Sequence, residues 1–169
     1  ADFDKNGDTY YISMESLKNF EINTDEKQLV SKQYSENNIT KSLKKNDLLM
    51  TRSGVAIGKF ALSKNNLSGI FSDFTMRIRL KNYNTEFAYY YFRSSFFQHL
   101  IHSDKKGLQN KNIFPIQIKE FPLPNFDLIK QKKIVDQINK ELRNQDKIIN
   151  NINKLRNKIN DLIRNSLKL

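Results

Sequence analysis

The sequence predicts an α+β chain: a mixed α/β globular part, residues 1–124, followed by a long C-terminal α-helical arm, residues 125–169. Three observations predict it. Short apolar runs separated by turn chemistry fill the first part, and one of them alternates strictly with polar residues. An aromatic-rich stretch of helical period interrupts those runs. After Pro124 the chain contains neither Gly nor Pro and holds one helical period almost to its end.

Taken in order, Tyr10–Met14, Leu48–Thr51 and Ile57–Leu62 read as strands, divided by Gly and Asn-Asp turn residues. Phe74, Met76, Ile78 and Leu80 alternate with Thr75, Arg77 and Arg79, the pattern of a half-buried strand with Phe74 on its apolar face. Asn84 or Thr85 can cap a helix running to about Ile101, with Glu86 in its first turn. Its aromatic content, from Phe87 through Phe97, suits a buried helix. Ile113–Phe121 returns to strand, and Pro122-Leu123-Pro124 forces an extended linker because each Pro disfavours helix before it. There is no internal repeat.

The arm, about residues 127–168, carries one narrow seam: Val135, Ile138, Leu142, Gln145, Ile149, Ile152, Arg156, Ile159, Ile163 and Leu167. Successive members are three or four residues apart, so they lie on one face of a helix roughly 60 Å long at 1.5 Å per residue. Lys140, Lys147, Lys154, Lys158 and many Asn occupy the other faces. An isolated helix with so little Ala is unstable in water and needs a second helix on its seam, in cis or in trans. Gln145 and Arg156 interrupt the seam, as polar positions that set register do. An ordinary amphipathic helix lying on the domain's own surface is the alternative.

Composition narrows the function. Hydrophobic content of 38% and 12 Phe are enough for a core. No run approaches the ~20 apolar residues of a membrane span, and no signal segment opens the chain, so no membrane association is expected. The absence of Cys excludes disulfides, thiol catalysis and Cys-ligated zinc, and fits a cytoplasmic setting. The formal charge is +11, with 22 Lys and 7 Arg, and such an excess points to a polyanion, most often nucleic acid. The 21 Asn and 18 Ile beside those Lys also match what AT-rich codon usage produces. Residues 127–169 hold 11 basic and 5 acidic residues, net +6, and residues 1–126 hold net +5. More than half of the excess therefore sits on the arm.

Catalytic signatures are weak. His99 and His102 share a helical face near Asp104, but two His without Cys or a carboxylate cluster do not make a metal site, and no metal or other cofactor is expected. Gly54-Val-Ala-Ile-Gly58-Lys59-Phe60 is one residue short of a phosphate loop and has Phe60 where the Mg²⁺-binding hydroxyl belongs. Asp104-Lys105-Lys106 has a nuclease-like Asp-x-Lys shape without a partner acid, so a nuclease remains the rival from the enzyme class.

Binding chemistry is better represented. Thr51, Arg52 and Ser53 precede Gly54 at a strand end, and Arg can fork onto guanine or phosphate while hydroxyls suit phosphate oxygens. Lys105, Lys106, Gln109, Lys111 and Asn112 form a basic, amide-rich loop in which Gln and Asn can read adenine. Arg77 and Arg79, on one strand face, extend the patch. A solvated turn is the plain alternative for each loop, and the plain alternative for the whole chain is a helical adaptor whose basic surface reflects codon usage.

In this order the motifs resemble the target recognition domain of type I restriction-modification specificity (S) subunits. The resemblance rests on Tyr11-Ile-Ser-Met-Glu-Ser-Leu17, Lys45-Asn-Asp-Leu-Leu-Met-Thr-Arg-Ser-Gly54 with Ile57-Gly-Lys59, and Ser72-Asp-Phe74. It continues through Tyr91-Phe-Arg-Ser94, Gly107-Leu-Gln109 with Asn112-Ile113, and Phe121-Pro-Leu-Pro124 leading into Gln131-Lys-Lys-Ile134. It implies a non-catalytic module that reads one half of a split double-stranded DNA site. It also implies a helix that pairs antiparallel with a second such helix and docks DNA methyltransferase (modification) subunits and a restriction/translocase subunit. S-adenosylmethionine and ATP chemistry would belong to those partners. Lys59 and Lys64 become phosphate contacts in this view, and the stretches Lys18–Ser42 and Leu62–Gly69 become alternative base readers. Such a subunit has two recognition domains and two helices, whereas this chain has one of each and begins at Ala1 without the preceding segment. It is therefore expected to be a shortened chain: a half-subunit that homodimerises through the helix, or the specificity part of a fused type IIG methyltransferase-endonuclease.

Overall fold

Leu48–Thr51 forms β5, a strand whose four residues are all buried, because both of its faces are covered. The computed structural model describes residues 1–104, 112, 113 and 115–167. Around β5 lies a three-stranded antiparallel sheet in the order β6-β5-β8, where β6 is Phe60–Leu62 and β8 is Thr75–Ile78. Its register pairs Met50 with Phe60 on one side and with Met76 on the other. Side chains alternate across the sheet, so Leu48, Met50, Phe60 and Leu62 enter one apolar cluster while Leu49 and Ala61 enter a second.

The first cluster is closed by two helices, α2 (Thr85–Arg93) and α3 (Ser95–Asp104). Phe92 stacks on Phe60 at 4.9 Å and meets Phe97 at 4.5 Å, offset geometries that add to the area they bury. The expected single helix to Ile101 is thus two. Asn84 caps the first as anticipated, accepting from the Phe87 amide at 2.9 Å. Ser94 is extended, and its hydroxyl donates to the Tyr91 carbonyl while accepting from the Phe97 amide, so it ends one helix and starts the next.

The second cluster is closed by a sheet ordered β4-β1-β7, with β1 Thr9–Ile12, β4 Leu29–Val30 and β7 Gly69–Phe71. β1 runs antiparallel to β4 and parallel to β7, pairing Ile12 with Phe71. A hairpin of β2 (Leu17–Lys18) and β3 (Glu21–Ile22) adds Leu17 and turns through Asn19 and Phe20, both at positive φ, the conformation a tight hairpin demands. A short helix, α1 (Lys32–Asn37), lies between β4 and β5.

Two expectations are corrected. Ile113–Phe121 is not a strand: Pro115–Glu120 is a helix, α4, with Pro115 as its first residue, where a missing amide costs nothing. The Ile116-x-Ile118 spacing mimics a strand over so short a run. Phe74 does not face the core and is 54% exposed, while Thr75 beside it is buried. A turn closed by the Thr75 amide donating to the Ser72 carbonyl at 3.0 Å reverses the alternation just before β8.

The chain divides into two units, Ala1–Leu128 and Ile129–Leu169. The linker after the two prolines stays with the first unit. Phe126 packs on Phe87, and the Tyr83 and Tyr91 hydroxyls donate to the carbonyls of Pro124 and Pro122. Burial holds both phenols above their ordinary pKa. The arm is one 40-residue helix, α5 (Leu128–Leu167). Val135 is buried, but Leu142, Ile149, Ile152, Ile159, Ile163 and Leu167 are exposed. Ile148, Leu155 and Leu162 are exposed too, seven residues apart, and widen the seam to three rows in its second half. No helix among the described residues is long and apolar enough to cross a membrane.

Candidate nucleic-acid interface

At the end of β5 the chain leaves the sheet through Arg52 and Ser53 into a 3₁₀ turn, Gly54–Ala56. Gly54 and Gly58 hold positive φ on either side of that turn, which Gly does without strain. Arg52 is pinned on two sides. Its amide donates to the Phe74 carbonyl at 2.9 Å and its carbonyl accepts from the Ile113 amide at 2.7 Å. Its side-chain Nε donates to the Asp73 carbonyl at 2.8 Å, fixing the direction of the guanidinium. Ser53 bridges antiparallel to Asn112. The structure therefore brings together Arg52, Ser53 and Asn112, which the sequence places about sixty positions apart.

Beside them, Lys41 Nζ meets the Asp73 carboxylate at 2.6 Å. Hydrogen bonding and charge from Lys41 hold Asp73 below the usual carboxylate range. The acid thus keeps its charge, and Lys41 offsets it on this surface. Lys41, which lies within the stretch Lys18–Ser42 expected as an alternative base reader, and the outward Phe74, expected on the core face, both lie beside Arg52. In the sequence Phe74 reads only as a strand residue on the apolar face and as the end of the Ser72-Asp-Phe74 motif.

The remaining expected contacts separate into exposed and structural groups. Lys59 is exposed and helps line an open cavity of about 510 Å³ with Lys18, Phe20, Gln98 and His102. Lys64 pairs with Glu21 at 2.9 Å, which raises the lysine's pKa and lowers the acid's. Thr51 lies inside the loop. It is fully buried, and its hydroxyl donates to the Ala56 carbonyl while accepting from the Lys59 amide, closing the loop. Arg77 is likewise turned inward, donating to the carbonyls of Ser42 and Thr40 and to the Asp47 carboxylate. Arg79 reaches the same carboxylate at 3.4 Å but remains 58% exposed. Lys105, Lys106, Gln109 and Lys111 lie outside the described residues.

Chemically, this surface offers a fixed guanidinium, a hydroxyl, an amide and lysines. It suits phosphate and base-edge contacts. His99 and His102 are both exposed, and no group of three His, Asp or Glu among the described residues is placed to hold a metal.

Comparison with known proteins agrees with this chemistry. No curated protein matches the chain. The family described as type I restriction modification DNA specificity domain matches residues 1–160, nearly the whole length, covering the first unit and most of the arm. The chain belongs to the type I restriction-modification DNA specificity domain family.

Proposed function

We propose that this chain reads one half of a bipartite double-stranded DNA site, and that its arm pairs antiparallel with the arm of a second copy to set the spacing of two such halves. The observation that carries the reading is the convergence of Arg52, Ser53 and Asn112 on one surface of a family member whose role is DNA specificity. Lysines such as Lys59 and Lys64 hold phosphates and give most of the affinity, while the Arg52 guanidinium and the Asn112 amide reach base edges. The chain is itself non-catalytic and cytoplasmic. DNA methyltransferase subunits and a restriction/translocase subunit dock on the paired helices and supply the chemistry, so this polypeptide needs no cofactor. The exposed apolar rows of α5 support the pairing, because a solitary helix of this composition would leave them in water.

Equilibrium binding to a pool of random duplexes over a salt series tests the reading. Enrichment of a defined sequence, with affinity falling steeply as salt rises, is the expected result. Weak, sequence-blind binding would instead indicate a helical adaptor with an incidental basic surface. Mapping methylated sites in the host genome with and without the gene then identifies the whole site.

A further inference from the structure

Phe74 turns away from both cores, 54% exposed in the tight turn between β7 and β8. Turn tips of this kind ordinarily carry Asp, Asn, Ser or Gly, which solvate there at no cost. On β8 itself Thr75 is buried and Met76 packs against the first cluster, so the strand is anchored without Phe74.

The surroundings show what it could meet. Phe74 accepts the Arg52 amide through its carbonyl, and the neighbouring Asp73 carbonyl holds the Arg52 side chain. Ser53 and Asn112 continue the same edge. Lys41 offsets the Asp73 carboxylate on it. A single apolar face thus sits within a cluster of hydrogen-bonding and cationic groups suited to base edges and phosphates. In the major groove the apolar feature displayed by a base pair is the thymine 5-methyl group, and Phe is among the side chains that contact it.

We propose that Phe74 is a specificity-determining residue that packs against a thymine 5-methyl group next to the base pair contacted by Arg52. The inference deepens the DNA reading proposed above and rests on it. The Arg52 hydrogen bonds to Asp73 and Phe74 keep the two side chains in one register, so the thymine lies within a base pair or two of the arginine's target.

The test uses the full chain on two random duplex pools, one with thymine and one with deoxyuridine replacing it, the latter lacking only the methyl group. Wild type is expected to enrich thymine at one position in the first pool and to lose that preference, with about a five-fold drop in affinity, in the second. Phe74→Ala should lose the same preference and become indifferent to the uracil replacement, and Phe74→Leu should retain part of it. If Phe74→Ala selects the same sequence as wild type, the assignment is overturned while the DNA reading stands. If wild type selects no sequence at all, the DNA reading fails and takes this inference with it. Should the alanine variant misfold, wild type alone decides, because indifference to uracil at every thymine of its selected site overturns the proposal.

Discussion

The Arg77 guanidinium donates to the Asp47 carboxylate at 3.3 Å across the central sheet, and Arg79, two residues on, reaches the other oxygen of the same group at 3.4 Å. Asp47 is 4% exposed and also accepts the Lys44 amide at 2.9 Å, so one buried acid orders the entry to β5 and the far end of β8 together. Asp47→Ala should therefore destabilise the protein by about 2–3 kcal/mol, since it strands a partly buried Arg77 and removes several charge-assisted bonds. Arg79→Ala, on the exposed member, should cost less than about 1 kcal/mol. Urea unfolding of the two variants measures the difference, and equal losses would mean that the exposed Arg79 contact carries the whole contribution of the carboxylate.

The two glycines flanking the 3₁₀ turn predict unequal substitutions. A Cβ on Gly58 would lie 2.6 Å from Ile101 Cγ2 at φ +82°, whereas one on Gly54, at φ +71°, would meet nothing within 4 Å. Gly54→Ala should cost about 1 kcal/mol from backbone strain alone. Gly58→Ala adds a clash with α3 and should cost about 2–4 kcal/mol. Thermal denaturation will rank them.

The Glu21–Lys64 pair sets a pH window. The hydrogen bond from Lys64 lowers Glu21, so its contribution is present above the ordinary glutamate pKa and lost as pH falls through the depressed one. The same bond raises Lys64, so its contribution is lost as pH rises through the elevated lysine value. Both side chains are more than half exposed, so the effect is small, on the order of 0.5 kcal/mol. Lys64→Met should flatten the stability–pH profile at its acidic end and leave mid-range stability nearly unchanged.

Arg52→Ala should weaken specific duplex binding by about 1–3 kcal/mol and relax selection at one base pair. Lys59→Ala should weaken binding to all sequences alike and reduce the salt slope by about one unit. An unchanged affinity and slope for Arg52→Ala would remove it from the interface.

Pairing through the arm predicts that Ile149→Glu with Ile152→Glu converts a dimer to a monomer by sedimentation. Both residues are exposed in the single chain, so the stability of the first unit should change little, while the unpaired arm should lose helical content. A wild-type chain already monomeric at high concentration would remove self-pairing as the spacing device.

What was legible in the sequence was local. The Leu48–Thr51 strand, the Asn84 cap and the long breaker-free helix follow from periodicity, capping chemistry and the last two prolines, each of which acts within a few residues. The ordered run of short motifs, from Tyr11–Leu17 to Gln131–Ile134, was also enough to indicate the specificity family that the comparison then showed. Less legible were features in which a local pattern admits two answers. Ile113–Phe121 fits a strand or a short helix, and a single Ser inside an aromatic run gives little warning that one helix is two.

The side to which each functional residue turns was decided by tertiary structure. Thr51, Arg52 and Ser53 are adjacent, yet the first closes a buried loop, the second is clamped by a turn from β8, and the third pairs with Asn112. Arg77 and Arg79 read as a basic surface, but the approach of Asp47 draws one inward and holds the other. Phe74 reads as core and stands outside, because a turn closed by Thr75 and Ser72 inverts the alternation. By itself the sequence determined the α+β composition, the helical arm and the family. Only the tertiary structure decided which polar groups are spent inside and which are left at the surface, because hydrogen-bond partners far apart along the chain set that choice and no local period records them.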